Sequence, residues 1–348
     1  MSLRGLYNIP SYADFGTTLA QGLLEADMDL ADALILLPNR RAGRTLQTTF
    51  LRLRDGEAML LPRMVPMGDL SNEDAVGEAI AGRIDADMLP DADLDLAEPW
   101  PKLRREAALA ELVAKTDATL SQDHVMALAQ ELARLMDQIE TEGLDAAKLP
   151  QLVEKTELAA HWEKSLRFLR ILYEVWPNVE DAAGYISPAK RRRLSIENQI
   201  RRWDLAPPTG PVIAAGSTGS IPATRKLLAA VLKLPQGAVV LPGMDPDLSA
   251  QAWAEIEHEI THPQYGFYEV LKACEQPPEA VQPWPWLPAR MQEPRTQLRS
   301  KAMLPAETTA SLAEGWRAGV QGLSVTAIEQ AFDDVTLYEL DDDDQEAQ

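Results

Sequence analysis

The residues with the clearest chemical potential lie between Ser11 and Thr18, inside the stretch Gly5 to Leu24. A short apolar run, Leu6, Tyr7 and Ile9, reads as a strand. A polar turn follows from Pro10 to Asp14, and Gly16-Thr17-Thr18 opens a helical pattern through Leu19, Leu23 and Leu24. Strand, glycine-bearing turn and helix is the layout of a phosphate-binding P-loop, G-x-x-x-x-G-K-[ST]. There the backbone N–H groups cradle phosphates and the Lys reaches the β and γ phosphates. On that spacing Ser11 stands at the first Gly, Gly16 at the second, Thr17 at the Lys and Thr18 at the Ser/Thr. One glycine and the lysine are absent. Strand–turn–helix units with a single Gly-Thr are also common structural elements, so the spacing alone leaves open both a degenerate nucleotide site and a plain turn.

Other chemistry-bearing residues are sparse. Lys190, Arg191, Arg192 and Arg193 form a basic run, readable as a phosphate contact or as a solvated helix face. Trp284 and Trp286 alternate with prolines; they can stack bases or pack a proline-rich loop. The four histidines, His124, His161, His258 and His262, show no metal-ligand spacing, since Pro263 argues that a helix ends between the last pair and the loop beyond. The single cysteine, Cys274, excludes an intrachain disulfide framework and a Cys-rich metal or iron–sulfur site within this chain. Hydrophobic content of 46% with 25% charged residues is that of a globular protein, but the net charge of −21 is not ordinary. A uniformly acidic surface repels nucleic acid, so any DNA contact needs a local basic patch or a basic partner. The N-terminus has no signal-peptide pattern, and no apolar run approaches the roughly 18 residues of a membrane-spanning helix, so a cytoplasmic protein without membrane contact is expected.

The elements that must position these residues fall into three blocks. In the first, residues 1–84, Ala33 to Leu37 is an apolar run suited to a parallel strand buried on both faces, closed by Pro38. Asn39-Arg40-Arg41 form a basic turn into a helix carrying Leu46, Phe50 and Leu53, and Met59 to Leu61 reads as a third strand. Residues 85–101 hold six acidic residues and three prolines and read as a solvated linker. Residues 102–205 show helical patterns only. One helix is capped by Ser121, one is striped by Leu158, Trp162, Leu166, Leu169 and Tyr173 and stopped by Pro177, and one is opened by Ser187-Pro188. Strand and helix alternate again over 206–348. Pro211 to Ala215 and Ala238 to Leu241 read as strands, Trp253 to Ile260 and Leu312 to Val320 as helical, and Val335 to Leu340 as a last strand before the acidic run Asp341 to Asp344. The expectation is an α/β domain, 1–84 with 206–348, built on a mostly parallel sheet flanked by helices and interrupted by an all-α insertion.

An α/β domain split by a helical insertion is how the first motor domain of superfamily 1 DNA helicases is organised, a P-loop-NTPase-like fold. The chain closely resembles the N-terminal part of the AddB family, alphaproteobacterial type. This subunit pairs with an AddA-type subunit in a helicase–nuclease for double-strand-break repair. The resemblance spans essentially the whole chain. It is carried by ALILLPNRRAGRTLQTTFLR (33–52), LARLMDQIETEGLD (132–145), HWEKSLRFLRILYEVWP (161–177), GSTGSIPATRKLLAAV (216–231), VVLPGMDPDL (239–248) and HPQYGFYEVLKAC (262–274).

The resemblance carries several implications. Matching Pro222 to the helix-opening Pro of the helicase motif puts Ala215 and Gly216 where the Mg²⁺-binding Asp-Glu pair belongs, and Gly243-Met244-Asp245 at the end of the sensor strand. With the Walker A Lys and both Walker B acids missing, hydrolysis loses its main stabilising terms, and no catalysis is expected of this chain alone. Asn39, Arg40 and Arg41 fall where helicases contact the DNA backbone. The chain is expected to be the N-terminal fragment of a longer subunit whose iron–sulfur cluster and Mg²⁺ belong to a C-terminal nuclease domain. Its expected role is to scaffold an AddA-type partner and guide DNA, with a scan for a recombination hotspot sequence as a further implication. Two rivals stand beside this: an ATP-binding or hydrolysing module using residues 11–18, and an interaction module that docks the partner without touching DNA.

Overall fold

The structure is a computed structural model that describes residues 3–69, 96–148, 168–288, 293–305, 324–333 and 335–336. Its centre is a sheet of six parallel strands: β1 (Gly5–Ile9), β2 (Leu34–Leu37), β3 (Arg63–Pro66), β6 (Val212–Ala215), β7 (Gly237–Pro242) and β8 (Gln282–Pro283). Their order across the sheet is β3-β2-β6-β7-β1-β8. The missing numbers, β4 (Glu98–Pro99) and β5 (Tyr185–Ile186), form a separate two-residue parallel ladder. The central strands are aliphatic runs buried along their length except at Pro242, the end of β7, as a sheet covered on both faces requires.

Alternation along each strand divides the core in two. Leu6, Leu36, Ala214 and Val239 face one layer; Tyr7, Ile35, Ile213 and Val240 face the other. The second layer is closed by α1 (Phe15–Glu25) and α2 (Arg40–Leu53) through Leu19, Leu23, Leu46 and Phe50. The first is closed by helices from further along the chain, through Leu227, Leu228, Val231, Phe267, Val270 and Leu271. After β3 the chain leaves the sheet and returns at β6. Between them the described residues form α3 (Lys102–Thr116), α4 (Gln122–Thr141), α5 (Trp176–Ala183) and α6 (Pro188–Leu205), with a hydrophobic cluster of their own around Leu109, Leu132, Met136 and Trp176. Beyond β6 come α7 (Pro222–Lys233), α8 (Ala250–Ile256), α9 (Tyr265–Ala273), α10 (Glu293–Ala302) and α11 (Val325–Ala331). Helix starts follow local chemistry: the Ser121 and Ser187 hydroxyls accept from the His124 and Lys190 N–H groups, and Pro188 takes the first helical position.

Several sequence expectations shift. The third strand lies at Arg63–Pro66, not Met59 to Leu61: the Arg63 N–H reaches the Ala33 carbonyl at 3.0 Å, whereas Met59 and Leu61 pack sideways onto the layer under α1 and α2. Pro177 does not stop its helix. A π-helical turn, Ile171–Val175, precedes it, and the wider turn accommodates a proline that would clash in a regular one; the helix then runs on to Ala183 and ends on left-handed Gly184. Residues 98–101 do not behave as a solvated linker, because Glu98 and Pro99 pair with Tyr185 and Ile186, and buried Trp100 packs 5.4 Å from Trp176. The stretch 102–205 is therefore not purely helical. The helix expected at Trp253 to Ile260 ends at Ile256, leaving Ile260 73% exposed. The expectations on residues 85–95, 158–167, 312–320 and 337–344 lie outside the described residues.

Candidate functional site

Ligands of open parallel sheets bind beyond the carboxyl ends of the strands, where neighbouring strands send their connections in opposite directions. Among the described residues, β1/β7 and β2/β6 are two such borders.

At the β1/β7 border lies the turn read as a phosphate loop. The helix starts at Phe15, not at Gly16, because Asp14 caps it: its carboxylate accepts the Thr17 N–H at 2.8 Å. Hydrogen bonds from the Thr17 side chain and backbone hold the Asp14 carboxyl below the usual carboxylate range, so a negative charge sits at the α1 N-terminus. That is where a P-loop would receive phosphate. The Ser11 hydroxyl meets the Arg299 guanidinium of α10, and Thr18 is buried with its carbonyl accepting from Trp284 Nε1 at 3.1 Å. Trp284, 1% exposed, is thus a packing residue. Ala215 ends β6 wholly buried in the core, and Gly216 turns away at φ +81° with its Cα hydrogen side against the Phe15 ring. Neither carries a carboxylate that could hold a metal. The loop after β7 is held by Asn8, whose side chain donates to the Met244 carbonyl at 2.8 Å and accepts its N–H at 3.0 Å. Gln264 adds bonds to Asp245 N–H and the Gly243 carbonyl, and its own N–H is accepted by His262 Nδ1. These residues do not fit a nucleoside triphosphate with Mg²⁺: the lysine and both acids are absent, and a carboxylate already occupies the helix terminus.

At the β2/β6 border the loops diverge, to α2 on one face and α7 on the other, and open a cleft of about 500 Å³. Its walls come from the loop after β2 (Pro38, Asn39, Arg40), the loop after β3 (Pro66, Met67, Gly68), the loop after β6 into α7, and the flank of α6. Arg40, Arg192 and Arg193 bring positive charge; Thr141, Ser217, Thr218, Ser220 and Thr224 bring hydroxyls; among the described residues no carboxylate lines it. Asn39 caps α2 through the Ala42 N–H at 2.9 Å, so the helix N-terminus faces the same cleft as Arg40.

The seven basic-region candidates therefore separate. Asn39, Arg40, Arg192 and Arg193 share the cleft, whereas Arg41 is exposed on α2 outside its lining. Lys190 turns to the Glu180 carboxylate at 3.5 Å, and Arg191 donates to the carbonyls of Leu96 and Ala97 at 2.8 and 2.6 Å. Both serve the packing of α6 on its neighbours. Sequence reading missed Asp14, although Asp-x-x-Thr ahead of an apolar run is a capping pattern. It also missed the hydroxyls of the β6–α7 loop and the clamp on Asn8, which carries no local signal because its partner is 236 residues away.

A scan of protein-family models finds none that matches this chain, and no curated protein matches it.

Proposed function

We propose that this chain is a catalytically silent, helicase-like module of an AddB-type subunit, which scaffolds an AddA-type helicase–nuclease partner and guides a DNA strand in double-strand-break repair and recombination. The observation that carries the proposal is the β2/β6 cleft. In a chain of net charge −21, a cavity whose described lining holds three arginines and five hydroxyls and no carboxylate suits a phosphodiester strand. The sheet, with β7 between β1 and β6, is compatible with a P-loop-like fold. The self-capped α1 terminus and the buried Ala215 support a silent nucleotide site. The arginine rim suits the backbone.

The test is fluorescence anisotropy of a labelled single-stranded oligonucleotide over a salt series, with the wild type and Arg40→Ala/Arg192→Ala. Each neutralised phosphate contributes about −0.7 to the log–log salt slope for a single strand, so the double variant should be shallower by about 1.4. No binding at low salt, or an unchanged slope in the variant, refutes strand guidance and leaves the docking module. Micromolar binding of Mg-ATP by calorimetry refutes the silent site.

A further inference from the structure

We infer that Glu140 is an internal competitor for the cleft's anion, holding Arg193 so that strand binding and the last turn of α4 are coupled. This rests on the reading of the cleft as a strand site. Arg193 lines the cleft from α6, but its guanidinium is already engaged. Nη2 donates to Glu140 Oε2 at 3.1 Å and Nη1 to Glu197 Oε2 at 3.3 Å, while Nε is buried with no partner. The fork that would grip a phosphate grips two carboxylates instead.

The two carboxylates are not equivalent. Glu197 stands on the same helix as Arg193 and has a second cation, Lys226 of α7, at 3.7 Å. Glu140 comes from the helical lobe, and among the described residues Arg193 is the only cation paired with it. Glu140 sits in the final turn of α4, and the next residue, Thr141, itself lines the cleft. The Thr141 hydroxyl donates to the Asp137 carbonyl at 2.6 Å, and the Asp137 carboxylate holds buried Arg105 at 2.8 Å, so the rest of the turn is anchored to the lobe. A phosphate oxygen arriving in the cleft offers Arg193 the same chemistry as Glu140. Taking it leaves Glu140 without a cation and removes the link that the Glu140–Arg193 pair makes between the last turn of α4 and α6. Coupling is reciprocal: whatever removes Glu140 from Arg193 must tighten strand binding by the same factor.

The experiment uses the full chain and a labelled single-stranded oligonucleotide, with affinity read by anisotropy and α4 read by hydrogen exchange over residues 134–145. Glu140→Gln should bind about five-fold tighter, the low end of ordinary coupling. Glu131→Gln, which removes an exposed carboxylate of the same helix paired with Arg134 and outside the cleft lining, should not. The oligonucleotide should speed exchange at the end of α4 in the wild type. In Glu140→Gln exchange should be fast already and no longer respond, and Arg193→Met should bind more weakly and also lose the response. Equal affinities for wild type and Glu140→Gln, or a response that persists in Arg193→Met, overturn the competitor. If Arg40→Ala/Arg192→Ala still weakens binding, the strand site survives that failure; a wild type that binds no oligonucleotide overturns both.

Discussion

Replacing Gly22 by alanine tests how α1 is locked to the loop beyond β8. In an ordinary helix interior Gly→Ala stabilises by about 1 kcal/mol. At Gly22 a Cβ would stand 2.4 Å from Trp284 Nε1 and 2.7 Å from its Cε2 and Cζ2. The indole has nowhere to go: it is 1% exposed, meets the Tyr7 ring edge-on at 5.5 Å, and is backed by Trp286 at 5.5 Å. Overpacking of this kind costs about 1–3 kcal/mol, and displacing Nε1 from the Thr18 carbonyl costs about 1 more. Against the propensity gain, the net is a loss of about 1–3 kcal/mol, opposite in sign to the usual substitution. Urea denaturation at pH 7 measures it as a lowered midpoint with unchanged slope. Trp284→Phe removes the colliding pyrrole atoms, so Gly22→Ala made in that background should cost at least about 1 kcal/mol less than in the wild type. A Gly22→Ala protein as stable as the wild type, or a double-mutant cycle that is strictly additive, refutes the close packing of α1 on the β8 loop.

Two further outcomes follow from the same region and its opposite layer. Asp14 has a lowered folded-state pKa, so its contribution is present above the unfolded value near pH 4 and is lost as pH falls through the lowered one. Asp14→Asn keeps a capping oxygen and should match the wild type at pH 7 while losing part of the stability change between pH 5 and pH 3; Asp14→Ala should cost about 1 kcal/mol at pH 7. Denaturation midpoints across that range decide it. Burial pushes the Cys274 thiol up to about 11, so the native protein should stay unreactive toward an aromatic disulfide reagent at pH 8 and react only as urea unfolds it. Labelling within the mixing time in native buffer would show the thiol to be accessible.

Much of the sheet was legible in the sequence because its strands are runs such as Leu34 to Leu37 and Val212 to Ala215. Only burial on both faces tolerates runs of this kind. Helix starts at Ser121 and Ser187 were legible for a local reason, a side-chain oxygen three residues ahead of the N–H it accepts. Pro177 misled because the π-helical turn Ile171–Val175 upstream absorbs the proline. The edge strand β3 was displaced because its register follows the Ala33 carbonyl, not its own hydrophobicity. The basic run at 190–193 read as one patch, yet its four cations point to three different environments, as helical geometry requires of consecutive residues.

The alternation of elements, the return to the sheet after the helical stretch, and the absence of a lysine between Ser11 and Thr18 can be read from the residues in order. Those properties are local or compositional, so they do not depend on which distant segments meet. Only the tertiary structure decided that the helix terminus behind Ser11 is filled by Asp14. It alone brought Asn39, Arg40, Arg192 and Arg193 to one cleft, with no carboxylate among its described lining, and put Glu140 across from Arg193. The reason is physical: charge acts over a few ångströms of space, and residues 40, 140 and 193 become neighbours only when the helical lobe folds back onto the carboxyl edge of the sheet.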